Sequence, residues 1–264
     1  MNHLTSGKTA AMLNKVPAVT RTFWIIKIMS TTVGETGADF LAVHVGLGTA
    51  MTGGIMVVLL IAGLLVQLRM RRYLPWIYWL TVVLVSVVGT QITDALTDRL
   101  DISLFVSTGV FALLLATTFA IWYWRERTLS IHTIVTTRRE LFYWAAILFT
   151  FALGTAAGDL ATESLNLGFN LGVMVFSAAL VAVMAAYYMG VNAVLTFWLA
   201  YILTRPLGAS LGDLLSQSRA NGGAGLGTIQ TSVVFLVVIV SLVALLSLAN
   251  RGPKLKAEIV NGDK

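Results

Sequence analysis

The chain has no cysteine, only four prolines and three histidines, and charge on just 11% of its residues. Without cysteine, disulfides, thiolate metal centres and cysteine nucleophiles are excluded together. His3, His44 and His132 are too few and too scattered to build a zinc or copper site, and His44 reads as a solvated loop residue. No Gly-Lys-Ser/Thr phosphate loop is present, which argues against direct drive by ATP. Residues 1–20 lack the short apolar run and small-residue cleavage site of a signal peptide, so the first spanning helix is expected to direct insertion.

What is abundant is apolar sequence. Hydrophobic residues make up 57% of the chain and the mean hydropathy is +0.84, whereas soluble domains carry about 25% charged residues. The composition predicts an all-α polytopic membrane protein. A bilayer-crossing helix needs about 20 mostly apolar residues. Eight segments qualify, near 22–43, 49–68, 75–97, 103–124, 141–162, 169–189, 192–216 and 229–249.

The basic residues set the expected orientation. Lys8, Lys15 and Arg21 precede span 1, and Arg69, Arg71 and Arg72 separate spans 2 and 3. Arg125, Arg127, Arg138 and Arg139 separate spans 4 and 5, and Arg251, Lys254, Lys256 and Lys264 follow span 8. The opposite loops offer Arg99 and Arg219, so the positive-inside rule places both termini in the cytoplasm, as for a bacterial inner-membrane protein. The net charge of +6 then reflects topology and contact with the lipid bilayer, and its dispersal over short loops argues against nucleic acid as a partner.

One pattern organises the whole chain. An aromatic-Trp pair is followed ten residues after the Trp by Gly and five residues later by Asp, and this occurs four times. The copies are Phe23-Trp24/Gly34/Asp39, Tyr78-Trp79/Gly89/Asp94, Tyr143-Trp144/Gly154/Asp159 and Phe197-Trp198/Gly208/Asp213. Successive motif glycines are 55, 65 and 54 residues apart, and each interval holds two spans. The expected architecture is therefore four tandem helical hairpins of one orientation, related by a pseudo-symmetry axis along the membrane normal, with fourfold and twofold arrangements both open. The expected units are a cytoplasmic N-terminal tail 1–20, repeats over 21–72, 73–124, 141–190 and 191–250, a cytoplasmic linker 125–140 after the second repeat, and a cytoplasmic C-terminal tail 251–264.

Residues four apart share a helix face, so the Asp position extends into a polar column on each motif helix. The columns read Thr31, Glu35, Asp39; Ser86, Thr90, Asp94, Asp98; Thr155, Asp159, Glu163; and Arg205, Asp213, Gln217. Such stripes avoid lipid and are expected to enclose a net-negative polar cavity. At the helical rise, the stretch from Trp to Asp spans roughly 22 Å, which puts Trp24, Trp79, Trp144 and Trp198 near one interface as anchors. Gly34, Gly89, Gly154 and Gly208 read either as helix-packing positions or as points of local unwinding, the latter favoured in the fourth copy by Pro206. The Gly-rich starts of the second helices, such as Gly222, Gly223, Gly225 and Gly227, are expected to let the outer turns fold back.

The four two-helix units with a Trp at the start of each first helix resemble a family of bacterial integral membrane proteins built from a repeat of unknown function, over about residues 22–250. The resemblance implies architecture and membrane location and no particular activity. Glu35-Thr36-Gly37-Ala38-Asp39 also resembles the acidic Gly-Asp signature of certain manganese and calcium exporters, with Phe40 where those carry Lys and Ala38 between Gly and Asp.

The expectation from these residues is a transporter and not an enzyme. Asp39, Asp94, Asp159 and Asp213 would form a central ion site helped by Glu35, Asp98, Glu163, Thr31, Thr90 and Thr155, with no cofactor beyond a bound divalent cation. Oxygen ligands suit Mn²⁺, Mg²⁺ or Ca²⁺, and clustered carboxylates that lose protons on binding make proton coupling natural. Arg205, in the same column, opens an alternative substrate, a small anionic or zwitterionic solute. Lys27 reads as a residue that snorkels to the interface. Two further readings are a carboxylate lock with no transport, and an intramembrane aspartyl enzyme. The latter's Gly-x-Gly-Asp element is matched only in part by Ala156-Ala157-Gly158-Asp159 and Ser210-Leu211-Gly212-Asp213.

Overall fold

The computed structural model describes residues 14–40, 48–165 and 167–262; the side chains of Glu35, Ala38, Asp39, Asp98, Glu163, Asn221 and residues 250–262 lie outside the description, as does His44. The described residues form eight long helices and no strand. Four belong to the motif: α1 (Arg21–Asp39), α3 (Pro75–Asp94), α5 (Thr137–Asp159) and α7 (Ala193–Ser216). Four follow them: α2 (Gly48–Arg69), α4 (Leu104–Glu126), α6 (Gly168–Tyr188) and α8 (Thr228–Gly262).

The starts of the motif helices are written locally. Thr20 caps α1 by accepting from the Phe23 amide, and Thr136 does the same for Arg139 at α5. Asn192 Oδ1 accepts from both Val194 and Leu195 at α7, and Pro75 opens α3, where its missing N–H costs nothing. The far ends are less regular. Winding changes from α to π immediately after Asp94 and after Asp159, over Ala95–Arg99 and Leu160–Ser164.

Helices α2 to α7 and the first part of α8 are long and apolar enough to cross a membrane; α1, with Lys27, Glu35 and Asp39 in 19 residues, falls short of that hydropathy. The two sets of helices occupy different layers. In α3, α5 and α7 more than half of the spanning window is buried within the protein, whereas α2, α4, α6 and α8 are largely exposed. Outward side chains such as Val58, Leu113, Met174, Val181 and Leu245 make up the face that meets lipid.

Packing between elements decides the symmetry. Helix α1 packs on α3, α3 on α5, α5 on α7, and α7 back on α1, which closes an inner ring of four parallel helices. The outer helices follow the same rule. Each lies against the motif helix of the next repeat, α2 on α3, α4 on α5, α6 on α7, and α8 on α1. The arrangement is thus a pseudo-fourfold cycle in which contacts run from one repeat to its successor, and the expected hairpin partners α1–α2 and α3–α4 make no extensive contact among the described residues.

The motif residues are the joints of this ring. The aromatic residue of each pair packs, with rings tilted, against the Trp of the next repeat, with centroids 5.5 Å apart for Phe23–Trp79, 5.6 Å for Tyr78–Trp144, 6.2 Å for Tyr143–Trp198 and 5.7 Å for Phe197–Trp24. Trp79, Trp144 and Trp198 are buried and Trp24 is half-buried. This corrects the expectation of interfacial anchors: the Trp residues face inward because they are the inter-repeat girdle. The glycines obey the same cycle. A Cβ at Gly34 would collide with Ser86, at Gly89 with Phe151, at Gly154 with Arg205 and at Gly208 with Thr31. Each glycine therefore admits the side chain seven residues after the next repeat's Trp, and the inner helices keep α winding through all four, so close packing is their role.

Threonines complete the joints by donating to neighbouring backbones, as Thr32 to the Gly208 carbonyl at 2.9 Å and Thr93 to the Ala152 carbonyl at 3.1 Å. The Gly-rich segment after α7 folds back as expected: the Ala224 and Leu226 amides donate to the carbonyls of Leu214 and Leu215 at the helix end. At the opposite end, residues 14–17 and the linker close over the girdle. Lys15 Nζ pairs with Glu140 at 2.5 Å and donates to the Leu68 carbonyl, Gln67 Nε2 donates to Glu140, and the Asn14 side chain donates to the Ile131 carbonyl.

Candidate functional site

Successive turns of the inner helices stack as layers across the axis. Below the Gly level lie Lys27, Val82, Ile147 and Tyr201, three residues after each Trp, and then Thr31, Ser86, Phe151 and Arg205, seven residues after it. All eight are excluded from solvent. The frame residues of the repeat, aromatic-Trp, Gly and Asp, are near-identical in every copy, and the copies diverge where they meet at the axis.

Arg205 is the centre of that divergence. It lies on α7 one residue before Pro206, and its guanidinium points across the ring. One terminal nitrogen donates to the Thr31 carbonyl on α1 at 3.2 Å, and the other donates to Thr155 Oγ1 on α5 at 2.7 Å and to Thr90 Oγ1 on α3. One cation is therefore held by all three other repeats. Thr31, Thr90, Thr155 and Arg205, named from the sequence as candidate ligands, are brought together here. Thr31 Oγ1 also donates to the carbonyls of Ile28 and Thr204, which fixes α1 against α7 beside the proline.

Lys27 sits one turn closer to the Trp girdle. It does not snorkel: its side chain is fully buried, with Nζ 4.0 Å above the centre of the Phe151 ring and 4.3 Å from that of Tyr201. Phe23 and Thr31, four residues either side of it on the same face of α1, are buried as well. Phe151 is common to both cations, for the Arg205 guanidinium carbon lies 5.8 Å from the same ring centre. Two basic side chains thus share this depth of the interior among the described residues.

The carboxylates lie farther along. Asp94 and Asp159 are the last α-helical residues of α3 and α5, and Asp213 lies in the last turn of α7; all three are half-buried. Among the described residues no three His, Asp or Glu side chains gather closely enough to hold one metal ion. The side chains of Asp39, Glu35, Asp98 and Glu163 lie outside the description.

The column rule would have found the missed residues. Continued four residues further toward the Trp, it reaches Lys27 on α1, Val82 on α3, Phe151 on α5 and Tyr201 on α7.

A model of a repeat of unknown function, DUF347, matches the chain over residues 22–73, 77–128, 142–190 and 196–251. The chain belongs to the DUF347 repeat family. No curated protein and no solved structure matches it significantly. The four matched DUF347 units meet at the four joints of the ring, and one family repeat is one inner helix, one outer helix and most of one aromatic-Trp, Gly, Asp frame.

Proposed function

We propose that this DUF347 protein is a membrane transporter for a small anionic or zwitterionic solute, with Arg205 as the substrate-binding group at the pseudo-fourfold axis. One observation carries the reading: a fully buried guanidinium on the axis, clasped by groups from all three other repeats. A cation at membrane depth is expensive and marks substrate pathways. Arginine presents a planar fork suited to carboxylate or phosphate oxygens. Thr90 and Thr155 present hydroxyls that can turn from guanidinium to substrate, and the bilayer-crossing helices around them supply the barrier.

Four alike units enclose a substrate that is not itself fourfold, which explains why frame residues repeat and axial residues do not. The positive-inside pattern places both termini in the cytoplasm of an inner-membrane protein, with the Trp girdle inside and the Asp level outside. The seven apolar helices long enough to cross a membrane support transport over catalysis.

The test is solute flux in proteoliposomes. Arg205→Gln is expected to cut uptake of small carboxylates by roughly a hundredfold, and Arg205→Lys by less, with gel filtration confirming folded protein. The hard-cation reading makes the opposite forecast. If Mn²⁺ moves instead, and Asp159→Asn abolishes that flux while Arg205→Gln spares it, the carboxylates are the site and this proposal fails.

A further inference from the structure

Three of the four ring joints are covered at the Trp end by this chain itself. Asn14, Val16 and Pro17 face Trp79 at the α1–α3 joint around a space of about 260 Å³. Gln67 at the end of α2 reaches across to Glu140 at the α3–α5 joint, and Trp122 near the end of α4 packs on Phe142 and Trp198 at the α5–α7 joint. The α7–α1 joint differs. There a groove of about 610 Å³ opens between α1, α7, the end of α6 and the linker, and Trp24 lines it. That opening leaves Trp24 half-buried, whereas Trp79, Trp144 and Trp198 are buried.

The groove has two chemically distinct parts. Its inner part is apolar, walled by Ile28 and Ala200 on the inner helices and by Leu180, Val183 and Met184 on α6. Its mouth carries Thr20, Arg21, Ser130 and His132, and no Asp or Glu lines it among the described residues. Arg21 also lacks a carboxylate partner among the described residues, because Glu126 and Glu140 at this end are paired with Arg138 and Arg139 and with Lys15. The Thr20 and Ser130 hydroxyls accept from the Phe23 and His132 amides, which leaves their protons for an outside acceptor. From Thr20 to Ile28 the groove follows α1 for roughly 12 Å at the helical rise. Met184, Tyr187 and Tyr188 on its α6 wall are exposed on the face that meets lipid.

That combination selects the occupant. A peptide segment would carry backbone N–H and C=O groups into an apolar cleft that offers them few partners, and a free anion would use the mouth alone. An amphiphile with a hydrocarbon chain and an anionic head matches both parts. We infer that the α7–α1 groove binds an anionic phospholipid of the leaflet at the Trp end, its phosphate on Arg21 and His132 and one acyl chain running inward beside Trp24. The inference does not depend on the Arg205 reading. A lipid seated there covers the joint that the chain leaves open and so stabilises the ring.

The experiment is native mass spectrometry of the purified full chain in detergent, titrated with dioleoyl phosphatidylglycerol, with dioleoyl phosphatidylcholine, or with glycerol 3-phosphate as a head group without chains. Wild type is expected to hold phosphatidylglycerol about fivefold or more tightly than phosphatidylcholine. Replacing the exposed Arg21 and His132 together by Gln should remove that preference, and Ala200→Phe, which fills the inner part, should weaken both lipids. Thermal unfolding is the second readout: phosphatidylglycerol should raise the unfolding temperature of wild type more than that of the Arg21→Gln, His132→Gln variant. No preference in wild type, a preference or an unfolding shift that survives the double substitution, or equal binding of glycerol 3-phosphate would overturn the inference. So would a wild-type dimer that excludes lipid, which would make the groove a contact between two copies.

Discussion

At the scale of the residue, glycines of the inner helices prove to have different tolerance. At Gly208 an added methyl would meet both the Thr31 hydroxyl and the Ile28 carbonyl, a backbone atom that cannot step aside. At Gly37, also in an inner helix, it would meet nothing within 4 Å among the described residues. Gly208→Ala is accordingly expected to destabilise the protein by about 1–3 kcal/mol, as overpacking does. Gly37→Ala should be neutral or stabilising by up to about 1 kcal/mol through helix propensity. Thermal unfolding in detergent ranks the two, and equal effects would contradict the close approach of α7 to α1. The Lys15–Glu140 pair gives a second test. Both partners are buried, so Glu140→Gln strands an ammonium and is expected to cost about 3–5 kcal/mol. Replacing both partners by Met should recover most of that loss, again read by thermal unfolding.

At the scale of the element, helix existence was legible and helix partnership was not. The eight apolar runs predict the observed helices to within a few residues at most ends, because apolar length is set by the bilayer. The early start of α5 at Thr137 follows from its Thr136 cap, a polar signal that an apolar count passes over. The π turns after Asp94 and Asp159 belong to no local pattern of hydropathy. Tandem hairpins are the natural reading of short loops, but each outer helix lies on the successor's inner helix. Chain connectivity limits only the loop ends, and lateral packing is left to the surfaces. At α7, the two bonds accepted by Asn192 make a specific forecast: Asn192→Ala should lower stability by about 1 kcal/mol, whereas a change within error would show that tertiary packing alone holds that end.

At the scale of the whole molecule, the ring has no privileged seam. The α3–α5 and α7–α1 joints are built from the same tilted aromatic pair and the same glycine contact as the joints within each half. A chain cut after Arg127, in the left-handed turn that ends α4, should therefore reassemble when residues 1–127 and 128–264 are co-expressed. Copurification of the two pieces through a tag on one is the measurement, and failure to associate would argue that continuity of the linker, not the joints, holds the halves together.

The sequence by itself determined that this is an all-helical membrane protein of four like units, because hydropathy and repeat spacing act locally along each segment. It also singled out Thr31, Thr90, Thr155 and Arg205, since residues four apart must share a helix face. Only the tertiary structure decided that the symmetry is fourfold, that the Trp residues are inward joints, and that Lys27 and Arg205 meet over Phe151. Those outcomes depend on which face of one helix the next repeat covers, and that choice is made by the fit of side chains into glycine clefts between segments far apart in the chain.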